Sequence, residues 1–158
     1  EESLVYPQSP YASAKLLMED MARAYKEHNV MVLRFFNVYG ERQRNTGGYV
    51  SAIPIFKAQV ENGHPVTVTG DGEQTRDFVY VKDVAAAIYK SIGSHAILNI
   101  GSGKEYKVID IAKAFSDNIK FIAERNEIKR SKADVYAAYF WLSWEPETDL
   151  FNWIKSIK

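Results

Sequence analysis

Apolar positions along this chain switch repeatedly between a helical and an extended period. Over residues 10–27, Leu16, Leu17, Met21, Ala24 and Tyr25 give much of an apolar helical stripe, and Ser9-Pro10 supplies a cap followed by a first-turn proline. Residues 30–36 are a compact apolar run broken only by Arg34, which reads as a largely buried strand. The polar, glycine-containing stretch 37–48 reads as a ligand loop. A helix follows over 49–61, with Pro54 as its regular start, and Asn62-Gly63 as its stop. Short strands are predicted at 65–69 and 78–81, around the turn Gly70-Asp71-Gly72. Beyond them come a helix over 84–91 capped by Asp83, a strand at 97–100, a helix over 108–118 and a strand at 119–122. Residues 124–132 are polar and wind along the surface; Asp134 caps a helix running to Leu142, and a last amphipathic helix holds Leu150, Phe151, Trp153 and Ile154. Strands alternating with helices predict an α/β layer arrangement with partly parallel pairing, as one compact unit over residues 1–158.

Composition narrows the function classes. The 158 residues suffice for one domain with a core, and 46% hydrophobic with 25% charged residues fits a soluble globular chain. The formal net charge is zero and there is no basic tail, so nucleic acid is not indicated as a partner. No apolar run approaches membrane-spanning length. Cysteine is absent, which removes disulfide and thiolate chemistry and points to a reducing, cytoplasmic setting. His28, His64 and His95 are scattered without ligand-like spacing, so no metal site is expected.

Several residues can carry chemistry. Tyr11 and Lys15 stand four apart, which places phenol and ammonium on one helix face. A nearby ammonium favours the phenolate, so Tyr11 can carry a proton; the alternative is an ordinary surface pair. Arg76 leads into a strand, where its planar guanidinium can bind two phosphate oxygens. Asp77 fixes a loop or holds Arg76, and the alternative is a plain surface pair of the two. Asn37 closes the first apolar strand, either as a donor to a phosphate or sugar oxygen or as a turn former. Arg42, Gln43 and Arg44 line the same mouth or form a solvated face; Arg125, Lys129 and Arg130 are a second basic group, either a solvated charge run or one that supplies a cation to neutralise a diphosphate. The aromatics Tyr139, Phe140, Trp141 and Trp144 read as core packing rather than a binding patch. Gly101-Ser102-Gly103 is too short for a dinucleotide fingerprint and reads as a strand-to-helix turn.

Five stretches in order carry a resemblance. They are Ser9 through Lys15, Leu33 through Gln43, Gly70 through Val84, Leu98 through Gly103, and Ala133-Asp134-Val135 with Leu142 through Pro146. Together they resemble the extended short-chain dehydrogenase/reductase family, in particular its nucleotide-sugar epimerases and dehydratases, and they match about the carboxy-terminal half of such an enzyme.

The resemblance implies the end of a Rossmann-like core together with a nucleotide-sugar-binding portion. It implies Tyr11 as catalytic base, with Lys15 favouring its ionised form and binding the cofactor ribose. Asn37 and Arg76 correspond to contacts with a substrate diphosphate, and Val66, Thr67 and Val68 to the strand edge beside the nucleotide base. In the family NAD takes a hydride from the sugar and returns it to the opposite face, giving 4-epimerisation of a UDP-hexose-like substrate. The glycine-rich NAD loop and the catalytic Ser or Thr have no counterpart here, Ser3 being too close to Tyr11. The implied partners are therefore a nucleotide-sugar and either a second copy, in a homodimer, or a missing amino-terminal half. A non-enzymatic nucleotide-sugar-binding or dimerising module and a dehydratase fragment are the alternatives. Departures from the family pattern fall at Glu124-Arg125-Asn126-Glu127, where the usual arginine position holds Glu124 and Arg125 is displaced, and at Tyr136, Ala137 and Ser143.

Overall fold

A computed structural model of the chain describes residues 6–25, 28–47, 50–125 and 127–158. Helix α1 (Pro10–Ala24) starts as its sequence requires: Ser9 Oγ accepts from Ala12 N at 3.1 Å and Pro10 opens the first turn. None of its residues is buried, so Leu17, Met18 and Met21 face outward. What ties it down is Arg34, the polar break in strand β1 (Met31–Phe35), whose Nε and Nη2 donate to Glu19 Oε1 and Oε2 at 2.8 and 2.6 Å. That bidentate pair holds the Glu19 carboxyl below its ordinary range.

The stretch read as a loop after β1 is in part a strand, β2 (Asn37–Tyr39), whose three residues are too few to show a period. Helix α2 (Ala52–Glu61) carries Pro54 as its third residue, where no intrahelical N–H is needed; the predicted start at Tyr49 lies outside the described residues. Strand β3 (Val66–Thr69) is followed by β4 (Thr75–Arg76), β5 (Phe78–Tyr80) and helix α3 (Val81–Lys90). Asp83 is not the cap of α3. The helix begins three residues earlier than predicted, with Tyr80 at the cap position, and the Asp83 carboxylate instead accepts from Thr148 N at 3.0 Å.

Strand β6 (Ala96–Ile100), the short β7 (Tyr106–Lys107), helix α4 (Val108–Phe115) and strand β8 (Ile119–Ile122) come next. Helix α4 ends before the predicted 118 because Ser116 turns extended, with φ at −163°. Helix α5 (Tyr136–Leu142) starts after Val135, and Asp134 Oδ1 accepts from Tyr136 N at 3.0 Å, so its capping role is kept one position out of frame. Asp149 caps the last helix, α6 (Leu150–Ser156), through Asn152 N.

Among the described residues three strand pairs are parallel, β1 with β6, β2 with β5, and β3 with β8, and β4 and β7 pair antiparallel. Two cores result. Around β3, the fully buried Val66, Val68, Ile111, Leu150 and Ile154 pack with Phe56 and Phe115 from α2 and α4. Around β6, Leu98 and Ile100 pack with Val79, Ala138, Leu142 and Trp144. Each such aliphatic side chain contributes about 1.5–3 kcal/mol by leaving water. Trp144 is core, as its aromatic character predicts, and its indole N–H donates to Asp83 O at 2.9 Å. Tyr139, Phe140 and Trp141 are not core: all three are exposed, because Ala138 and Leu142 take the inward face of α5.

Candidate functional site

The chain changes strand partner between β1 and β2. Phe36 N still donates to Ile100 O of β6 at 3.0 Å, whereas Asn37 N donates to Asp77 O, beside β5, at 3.1 Å. Ligand sites in open α/β sheets lie outside the carboxyl ends of the strands, and this change of partner follows the carboxyl end of β1. Asn37 is the first residue past the switch, and its Nδ2 also donates to Asp77 O, at 2.9 Å. One amide N–H is thereby held, and the other remains as a donor.

A cavity of about 400 Å³ opens beside Asn37, with Thr67, Thr69, Arg76, Arg125 and Glu127 in its lining. Arg76 Nη1 donates to Thr75 O at 2.8 Å, and Nη2 meets Glu127 Oε2 at 2.5 Å. The arginine is thus paired with Glu127 and not with its neighbour Asp77. Val66 and Val68 point into the core with no exposed surface, so Thr67 alone of that trio offers a side chain to the cavity. The outer edge of β3 is partly satisfied from within: Gln59 Oε1 accepts from Thr67 N at 3.0 Å, and Gln74 Nε2 donates to Thr69 O at 3.1 Å.

Of the second basic group, only Arg125 lines this cavity. Lys129 pairs with Glu124, and Arg130 forks onto Glu105 at 3.0 and 2.7 Å. The Arg130 hydrogen bonds, with one from Thr75 Oγ1, lower the Glu105 carboxyl to about 2. Arg42 and Gln43 line a different cavity, next to Trp153, so they do not share the mouth with Arg76.

Asp77 does fix a loop. It has no exposed surface, and each of its oxygens accepts twice: Oδ1 from Ser102 N and Ser102 Oγ, Oδ2 from Gly103 N and Ala133 N, all at 2.6–3.0 Å. Four donors around a buried carboxylate replace its lost hydration. Gly101 is required by the same packing, since a Cβ there would stand 2.5 Å from Ala133 Cβ and 2.9 Å from Asp77 Oδ2. Sequence reasoning did not assign Asp77 this tie between β4–β5, the 101–103 turn and the segment carrying Arg125 and Glu127. The available signal was an acidic residue between Arg76 and an apolar pair, with a Gly-Ser-Gly turn further along.

Tyr11 and Lys15 share a helix face, with Lys15 Nζ 5.5 Å from the Tyr11 ring centroid. They lie in a separate cavity of about 520 Å³ with Glu19, Arg34 and Phe35, and Tyr11 is half-exposed. These two cavities stand on either side of the partner switch, the one with the Tyr–Lys pair by β1 and the one with Arg76 by β2. The Gly101–Gly103 turn does not fit a dinucleotide pyrophosphate, because the N–H groups of Ser102 and Gly103 already serve Asp77. Among the described residues no helix is long and apolar enough to cross a membrane, and no cluster of side chains could hold a metal ion.

The sequence pattern of the NAD dependent epimerase/dehydratase family matches residues 1–107. The chain is 35% identical over 167 aligned positions to a protein of Methanocaldococcus jannaschii with the provisional name UDP-glucose 4-epimerase, covering 99% of this chain and 54% of that one. It is 31% identical to UDP-glucuronic acid decarboxylase 1 of Xenopus tropicalis, over 91% of this chain and 37% of that protein. Among solved structures, UDP-N-acetylglucosamine 4-epimerase from Methanobrevibacter ruminantium, in complex with UDP-N-acetylmuramic acid, superposes with a TM-score of 0.83 at 31% identity, over all of this chain and 57% of the other. The chain thus spans about half the length, or less, of the curated relatives it matches.

Proposed function

Since this chain belongs to the NAD dependent epimerase/dehydratase family, with the Rossmann-like extended short-chain dehydrogenase/reductase fold, we propose that it is the nucleotide-sugar-binding portion of a 4-epimerase acting on a UDP-hexose. The observation that carries this reading is the arginine cavity. Asn37, Thr67, Arg76 and Arg125 line one space of about 400 Å³ where the chain passes from β1 to β2, with two guanidinium groups to neutralise a diphosphate. Thr67 and the outer edge of β3 stand beside the base, with Val66 and Val68 limited to backbone contacts. NAD would supply the hydride chemistry of the family, and no pyrophosphate cradle for it stands among the described residues.

On the side of this chain, Tyr11 accepts the proton of the sugar hydroxyl, and Lys15, on the same helix face, would hold the cofactor ribose. Phe35 and Arg34 wall the same cavity. The exposed face of α1, with Leu17, Met18 and Met21, packs against a second copy, making a homodimer. A non-enzymatic nucleotide-sugar-binding module is the second reading. It is favoured by the separation of Tyr11 from the arginine cavity and by the occupied Gly101–Gly103 turn.

The test supplies an amino-terminal half from a relative together with this chain and follows UDP-hexose interconversion. Turnover with the native chain and its loss with Tyr11→Phe support the epimerase. UDP-sugar binding without turnover favours the binding module, and a pair that binds neither NAD nor UDP-hexose overturns both.

A further inference from the structure

Helix α5 presents an aromatic face that neither core uses. Tyr136, Tyr139, Phe140 and Trp141 are 71, 57, 65 and 67% exposed, on a helix of seven residues. The Tyr136 and Phe140 rings lie 6.4 Å apart with planes 18° from parallel, and the Trp141 ring stands edge-on to Phe140 at 5.6 Å. Such a concentration is unusual for an exposed helix and usual for an interface, where aromatic residues are enriched. Tyr136 and Tyr139 also form one wall of a groove of about 370 Å³. Its other wall is the segment after α5, with Glu145, Pro146, Glu147 and Asp149.

Charge selects the occupant. Asp149 is committed to capping α6, but the exposed carboxylates of Glu145 and Glu147 have no cation partner among the described residues. Among the described residues Lys104 is the one basic residue of the lining, and Lys90 nearby is committed to Ser143 O. An anionic ligand is therefore disfavoured, which separates this groove from the arginine cavity. Guanidinium groups match both walls, since they stack on aromatic faces and fork onto carboxylates. Size selects further. The four rings expose on the order of 500 Å², short of the roughly 800 Å² per partner that a stable folded interface uses, but enough for an extended segment.

We propose that the aromatic face of α5 and the groove beside it dock an extended, arginine-bearing peptide segment of a partner protein. Proline between the arginines suits the same surface, because aromatic-lined grooves accept the preformed polyproline helix. This docking is independent of nucleotide-sugar binding.

The probe is a fluorescein-labelled, amidated heptapeptide of alternating proline and arginine, titrated with this chain at low salt and read by anisotropy. Saturable binding is expected, weakened about tenfold or more by Tyr136→Ala/Tyr139→Ala and by Glu145→Gln/Glu147→Gln. Lysine in place of arginine weakens it several-fold, the proline–glutamate counterpart does not bind, and Arg76→Ala leaves it unchanged. Circular dichroism checks that the surface variants stay folded. The proposal is overturned by absence of binding up to about 1 mM, by equal binding of the glutamate peptide, or by indifference to both double variants. It is equally overturned if free hexoses displace the peptide, or if sedimentation shows self-association that Phe140→Ser abolishes.

Discussion

Arg76 and Glu127, 51 positions apart in sequence, meet with Nη2 and Oε2 2.5 Å apart in the cavity that Arg125 also lines. The pair is half-hidden, with 16 and 33% of the two side chains exposed. A diphosphate entering this cavity competes with the Glu127 carboxylate for the same guanidinium. Removing that charge should tighten anion binding while leaving the shape of the site unchanged. Glu127→Gln is expected to raise the affinity for inorganic pyrophosphate roughly three- to tenfold, consistent with the ~1 kcal/mol scale of a partly exposed ion pair. Calorimetry at fixed ionic strength measures it, and weaker pyrophosphate binding by the variant would show that Glu127 does not compete.

Asp77 accepts four hydrogen bonds with no exposed surface, so Asp77→Asn replaces one acceptor oxygen by a donor facing N–H groups. A loss of about 2–4 kcal/mol is expected from the stranded donors. Because Asp77 O also holds both Asn37 N and Nδ2, nucleotide affinity should fall more than it does in a variant of similar stability loss in the other core, such as Leu142→Ala. Urea denaturation and UDP titration on the two variants make the comparison. Equal affinities at matched stability would reduce Asp77 to a purely structural tie.

The Glu105 carboxyl, held at about 2 by Arg130 and Thr75, has an ordinary value of 4.5 when the chain is unfolded. A carboxyl depressed in the folded state stabilises it fully above the unfolded value and loses that contribution as pH falls through the folded one. The Tm difference between the native chain and Glu105→Gln should therefore be constant near neutral pH and shrink between about 4.5 and about 2. A difference that persists unchanged to the acid end would mean that packing, not charge, underlies it.

Much of this was legible from the chain. Ser9-Pro10 announced α1, and the apolar runs located β1, β3, β6 and β8 to within about two residues, because cap chemistry and hydrophobic period act locally. The strands β2, β4 and β7 were not legible: two or three residues carry no period, and pairing with β5 or with each other defines them. Asp83 has the residue type and position of a cap, yet Thr148, 65 positions later, claims its carboxylate. The same long-range logic hides the Arg76–Glu127 pair and the Asp77 tie. The resemblance supplied Asn37 and Arg76, and both line one cavity; it also supplied Val66 and Val68, whose burial follows from strand alternation once the core side of β3 is known.

The central claim is that Arg76 and its neighbours bind the diphosphate of a nucleotide-sugar. Calorimetric titration of this chain with UDP-glucose, beside Arg76→Ala, tests it most directly. Saturable one-site binding by the native chain, weakened about tenfold or more in the variant, is the expected result, because two charge-assisted hydrogen bonds to phosphate are lost. Equal affinity in both proteins, or no heat of binding in either, would contradict it.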